Sequence, residues 1–201
     1  MGGNFLLGLP IKDSRKEMKR SFIFVFVIIA LSASRGFAIS KGPSIDDLAI
    51  ELNGNMEVSF SVINCCTGEL EEAIKSGVPT TFTFRIKVYL VRSLWVDKKV
   101  ASCKFKHHIK YDNITKEYQF HFEENNHSLS VKDFERAKEL MAKVNGVKLL
   151  PTARLEKGRT YYIDVKAELD PVRLPFGLQH IFFFLSFWDV ETDWLRYEFT
   201  Y

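Results

Sequence analysis

Cysteine is scarce in this chain: Cys65, Cys66 and Cys103 are the whole set in 201 residues. Three thiols are too few for a dense disulfide scaffold. Adjacent cysteines rarely bond each other without strain, so one bond would join Cys103 to Cys65 or Cys66 and leave a thiol free. The plainer reading, three small apolar residues, is preferred. Catalytic and metal-binding signatures are missing too. There is no His-Glu-x-x-His, no paired Cys-x-x-Cys and no calcium loop. No Gly-x-Ser-x-Gly elbow offers a nucleophile. No glycine loop follows a predicted strand, which sets the familiar nucleotide sites aside. Internal repeats, low-complexity runs and linkers are absent from residues 39–201.

A long membrane-spanning run is lacking as well. The stretch from Phe22 to Leu31 is ten residues, too short to cross a bilayer comfortably as a permanent helix. Lys16, Lys19 and Arg20 precede it; Ser32, Ala33 and Ser34 break it; Arg35 and Gly36 lead to Ala38. This is the pattern of a secretory signal peptide cleaved after Ala38, leaving Ile39 first. The competing readings are an uncleaved anchor and a buried segment of a cytosolic fold. Met18 begins a more ordinary signal, so translation is expected to start there, with residues 1–17 an extension. No cysteine near the cleavage site suggests a lipoprotein anchor.

Charge changes meaning once this leader is set aside. Residues 1–38 hold six of the 28 Lys and Arg and two of the 25 Asp and Glu, leaving 22 bases and 23 acids. The mature chain is near neutral, which weakens any general argument for nucleic acid or an anionic membrane as a partner. Residues 39–201 are enough for one domain with its own core.

What is present is alternation. Ile45 to Leu52 and Met56 to Ile63 predict a hairpin around Asn53, Gly54 and Asn55. Glu69 to Lys75 predicts a short helix, with Gly77 and Pro79 closing it. Phe82, Phe84, Ile86, Val88 and Leu90 alternate with Thr81, Thr83, Arg85, Lys87 and Tyr89, the period of a half-buried antiparallel strand. A connection carrying Trp95 leads into Val100 to Tyr111. There Cys103, Phe105, His107 and Ile109 share one face, and Lys104, Lys106, His108 and Lys110 the other. Tyr118, Phe120 and Phe122 return as a strand. Ser130 is expected to cap a second helix, with Asp133 completing a variant capping box and Asn145–Gly146 ending it. Tyr161 to Leu169 and Leu195 to Phe199 alternate again, and Ile181 to Trp188 predicts a central strand. Eight or nine strands with two short helices imply a mainly β fold: an antiparallel two-sheet β-sandwich, immunoglobulin-like or an open-barrel variant.

Candidate sites compete with structural readings. His108 and His121 could face each other across a hairpin, with Glu123 two residues on, as a metal-capturing triplet. The commoner role is surface or packing histidine. Cys103 and His107 lie on one face but about 13 Å apart if extended, beyond hydrogen-bond reach. Asp189, Glu191 and Asp193, flanked by Trp188 and Trp194, could line a sugar or peptide groove or hold a hard cation, or could simply be a polar connection. Arg173 sits in a rigid loop between Pro171 and Pro175. Lys98, Lys99, Lys104, Lys106 and Lys110 with Arg85 and Lys87 form a basic stripe that could touch lipid headgroups or an anionic polymer, or merely be solvated. Asn113-Ile-Thr115 and Asn126-His-Ser128 match the glycosylation sequon.

The segments "GELEEAIKSGVPTTFTFRIKVYLVRSLWVDKKVA" at 68–101, "YDNITKEYQF" at 111–120, "LEKGRTYYIDVKAELD" at 155–170, "LP" at 174–175 and "FFFLSFWDVETDWLRYEF" at 182–199 resemble the bacterial family of exported proteins called DUF4390. The resemblance spans about residues 45–201. It rests most on Glu72 to Phe84, on Trp95 with Asp97, and on Ser186 to Trp194. It implies a bacterial envelope protein and supplies no catalytic residue or cofactor.

The expectation is therefore an exported, periplasm-facing accessory module without a cofactor, binding an envelope protein or polymer. Trp95, Arg173, Trp188, Asp189, Glu191, Asp193 and Trp194 are its candidate contacts. Membrane association follows if the leader stays uncleaved. A metal-dependent or otherwise unfamiliar hydrolase, using His108, His121 and a carboxylate such as Glu123, or Asp189, Glu191 and Asp193 crowded in one cleft, is the alternative.

Overall fold

Alternation decides the architecture. In the strand Thr80–Leu90 (β3) the even-numbered apolar residues from Phe82 to Leu90 are all buried, while Arg85, Lys87 and Tyr89 reach the surface. A one-residue slip would expose that whole set, so the register is fixed by burial. The same logic organises the rest of the computed structural model, which describes residues 42–170 and 190–201.

Ser44–Asn53 (β1) and Asn55–Ile63 (β2) form the first hairpin, turning at Gly54 with φ of +75°. The helix Gly68–Lys75 (α1) starts where the Thr67 hydroxyl accepts from the Leu70 amide, and it buries Leu70, Ala73 and Ile74. β3 pairs with the long strand Lys98–Asp112 (β4), which pairs with Glu117–Phe122 (β5), which pairs with His127–Val131 (β6). The helix Phe134–Ala142 (α2) leads directly into Lys143–Pro151 (β7), then a 3₁₀ turn at Thr152–Arg154. Thr160–Leu169 (β8) and Leu195–Thr200 (β9) complete the described strands.

Two antiparallel sheets result. One has the order β1-β2-β7; the other has the order β6-β5-β4-β3-β8-β9. Among the described residues neither closes into a barrel. A single core lies between them, where Phe60 of β2 meets Phe84 of β3 edge to face at 5.8 Å and Phe84 stacks on Phe105 of β4 at 5.3 Å. Each such phenylalanine, withdrawn from water, contributes about 1.5–3 kcal/mol. The mainly β, two-sheet architecture with two short helices agrees with the expectation from sequence.

Boundaries around α2 differ from the expectation. Ser130 belongs to β6, paired with Gln119, and Asp133 is the actual N-cap, accepting from the Arg136 amide at 2.8 Å. Asn145 and Gly146 do not end the helix: β7 begins at Lys143, because Val144, Val147 and Leu150 are buried in the core. Gly146, at φ +60°, lies where the β2–β7 register shifts, and its amide donates to Ser59 Oγ. The strand expected over Ile181 to Trp188 lies outside the described residues. No helix among the described residues is long and apolar enough to cross a membrane.

Candidate functional site

The seven residues 91–97 join β3 to β4 at one end of the six-stranded sheet. Their tip is apolar and unpacked: Leu94 is 89% exposed, Trp95 79% and Val96 90%. Three consecutive large apolar side chains in water are costly to maintain, since covering each would contribute about 1.5–3 kcal/mol. Scattered single apolar residues on a surface need no explanation; a contiguous projecting tip does.

The neck below this tip is firmly held. The Val91 amide donates to the Thr160 carbonyl at 3.0 Å, and the Arg92 amide donates to Asp97 Oδ1 at 3.0 Å, closing the loop on itself. Burial first, and the nearby Asp97 carboxylate in addition, push the Tyr162 phenol up. Tyr162 stacks on Tyr89 at 4.9 Å on one side, and the Arg196 guanidinium lies 3.9 Å from its ring centre. Arg196 in turn grips Asp164 through both carboxylate oxygens, at 2.8 and 2.9 Å. The loop thus stands on a packed aromatic and ionic base.

Around the tip the charge is positive. Arg92, Lys98 and Lys99 are exposed and make no ion pair among the described residues. The neighbouring turn adds Lys157 and Arg159, the latter 3.9 Å from Glu156. Asp97 and Glu156 are the acids of these two connections, and Glu198 stands opposite Tyr162 on β9, so bases prevail.

The histidine pair predicted across β4 and β5 forms: His108 lies opposite His121, their rings stacked at 6.0 Å. Both nitrogens of His108 are engaged, Nδ1 with Thr81 Oγ1 at 3.0 Å and Nε2 with Glu123 Oε1 at 3.2 Å. His121 Nδ1 bonds Ser128 Oγ at 3.0 Å. An open groove of about 490 Å³ runs past these side chains and Gln119. Among the described residues no group of three or more His, Cys, Asp or Glu is arranged to hold a metal.

The other candidates are spread out. Trp194 is 40% exposed and lies under the Lys87 ammonium at 4.1 Å. Glu191 pairs with Lys166 at 2.7 Å, while Asp193 is exposed. Arg173, Trp188 and Asp189 lie outside the described residues. Cys65, Cys66 and Cys103 are all free thiols. The Cys65 sulfur, 3.7 Å away, and burial push the Cys66 thiol up; burial does the same to Cys103. Neither is poised as a nucleophile.

Two members of the basic stripe, Arg85 and Lys106, have acidic partners that inspection of β3 and β4 alone missed. β8 and the residue after it present acids on the same outer face. Arg85 binds Glu168 Oε1 at 2.9 and 2.6 Å, and Lys106 binds Asp170 at 2.6 Å. Partial burial acts to raise the Asp170 carboxyl, but Lys106 and the Thr83 hydroxyl together hold it below the usual range. Alternation on β8 carried this signal, since Asp164, Lys166 and Glu168 share its polar face.

One buried polar pair also went unanticipated. His107, 1% exposed, is enclosed by Phe84, Phe105 and Phe122, with Nε2 2.9 Å from Glu124 Oε1 and Nδ1 3.3 Å from the Met141 carbonyl. Glu124 Oε2 is buried and has no partner. Both nitrogens of His107 thus lie against oxygen atoms.

The match to the family described as "Domain of unknown function (DUF4390)" covers residues 41–198. The chain belongs to the DUF4390 family. No curated protein and no solved structure matched it. In this DUF4390 chain the match encloses the three-stranded sheet, the β3–β4 loop and the six-stranded sheet up to residue 198 of β9. The same residues, 41 onward, form one compact unit.

Proposed function

We propose that this DUF4390 chain is an exported binding and accessory module of the bacterial envelope, and that the β3–β4 loop is its contact element. The observation that carries the reading is the apolar tip Leu94–Trp95–Val96, held out in water on a rigid neck. A loop with no contact role gains nothing from keeping three large apolar side chains unpacked, and such a tip raises the risk of aggregation. Loops on a rigid β scaffold are where binding residues concentrate. The leader supports placement outside the cytoplasm: its basic start, ten-residue apolar run and small residues at 36 and 38 fit export.

The test is site-specific photocrosslinking in the native host. A photoreactive side chain at Trp95 should give discrete envelope adducts, protein or lipid. The same group at Ile114, exposed in the turn at the far end of β4, should give none. Equal labelling at both positions would remove the loop as contact element. Sequencing the mature N-terminus of the same sample should read Ile39.

A further inference from the structure

We infer that the β3–β4 loop docks on an anionic lipid surface, with Leu94, Trp95 and Val96 entering the boundary between headgroups and acyl chains and Arg92, Lys98 and Lys99 meeting the headgroups. The inference rests on the reading of this loop as the contact element and names its partner.

Shape is the first argument. Consecutive side chains along a chain point in different directions, yet all three at the tip are at least 79% exposed. The tip is therefore apolar all round and convex. A protein pocket or a sugar platform engages one face, whereas a lipid interface surrounds whatever enters it. A stable protein interface also covers about 800 Å² on each partner, more than a seven-residue loop presents. Trp95 has Leu94 and Val96 beside it rather than the polar side chains that would orient a sugar.

Chemistry is the second. Tryptophan, with an apolar body and one N–H, is favoured at the depth where bilayer meets water. Bases flanking an apolar tip fit an anionic surface, and Arg92, Lys98 and Lys99 have no acidic partner among the described residues that would compete. Asp97, the acid nearest the tip, accepts from the Arg92 amide at 3.0 Å, within its own loop. Lys157 and Arg159 extend the basic rim from the adjoining turn.

The neck is the third. Bonds from Val91 to Thr160 and from Arg92 to Asp97 fix the tip before any partner arrives, which reduces the ordering cost of insertion.

The experiment uses the full chain, leader included, with Trp95→Phe as the reference so that any membrane affinity of the leader is common to both. Vesicles carry brominated acyl chains, in phosphatidylcholine alone or mixed with phosphatidylglycerol. The wild-type minus Trp95→Phe fluorescence should be quenched in the anionic vesicles and little in the neutral ones, and added salt should weaken it. Changing Arg92, Lys98 and Lys99 to Gln together should raise the lipid needed for half-quenching about 100-fold. Unquenched Trp95 in both vesicles would overturn the lipid inference. If the crosslinker at position 95 then still captures one specific protein, the contact-element reading stands and only the partner is wrong. If it captures nothing, both fall. Quenching equal in neutral and anionic vesicles would overturn the role given to the bases.

Discussion

At the scale of single residues, His107 and Glu124 make the sharpest demand on the protein. The inward direction of His107 was legible, because it shares a face with Cys103, Phe105 and Ile109. Its partner was not: Glu124 comes from a turn 17 positions later, and no period links a turn residue to a strand. Replacing His107 by Leu strands a buried carboxyl and the Met141 carbonyl, and thermal or urea unfolding should show a loss of about 2–4 kcal/mol. Glu124→Gln should cost under about 1 kcal/mol, because its amide can donate to Nε2 while Nδ1–H donates to Met141. Equal losses for the two would show that the bond is not what the site requires. Asp170 offers a second test. Its carboxyl is held below the ordinary 3.8, so it stabilises the fold at pH above that value, and the contribution fades as pH falls through its lower folded value. Melting temperature followed downward from about pH 5 should drop less steeply for Asp170→Asn than for the natural chain. Parallel curves would mean the ion pair with Lys106 has no net effect.

At the scale of elements, long amphipathic strands were readable and boundaries near α2 were not. β3 and β8 bury an apolar residue at every second position, from Phe82 to Leu90 and from Tyr161 to Leu169, and β4 alternates from Ala101 to Tyr111. The stretch from Glu123 to Gly146 mixes short signals. His127–Val131 has little apolar periodicity and becomes a strand because β5 offers an open edge. Ser130 and Asp133 are both good capping residues, and only the pairing of Ser130 with Gln119 decides between them. Asp133→Ala should therefore cost about 1 kcal/mol in chemical unfolding, and Ser130→Ala much less. The reverse ranking would restore the helix start inferred from sequence. Lys138 joins the helices, pairing with Glu71 of α1 at 3.0 Å and Glu135 at 2.9 Å, and these carboxylates push its ammonium up. Such exposed contacts contribute little each, so α2 is held mainly by Ala137 and Met141 in the core.

At the scale of the whole molecule, two open sheets enclose one core and leave function to the surface. The sequence pointed to Trp95 as a contact residue only because an aromatic stood in a connection, and it could not show the company Trp95 keeps. Three features needed three dimensions: the exposure of Leu94 and Val96 beside it, the bond from the Arg92 amide to Asp97, and the approach of the turn carrying Lys157 and Arg159. The basic stripe shows the opposite lesson. It could have been a binding face or merely a solvated one, and acids on and beside β8 pair with its Arg85 and Lys106. Arg92, Lys98 and Lys99, exposed and without an ion pair among the described residues, flank the apolar tip. Hydrogen exchange of the full chain, with and without native envelope membranes, tests the loop against the histidine groove as the contact. Protection gained on adding membranes should concentrate in residues 91–99 and leave the strands around His108 and His121 unchanged. Protection that instead appears at His108, His121 and Ser128, with residues 91–99 unaffected, would contradict the account.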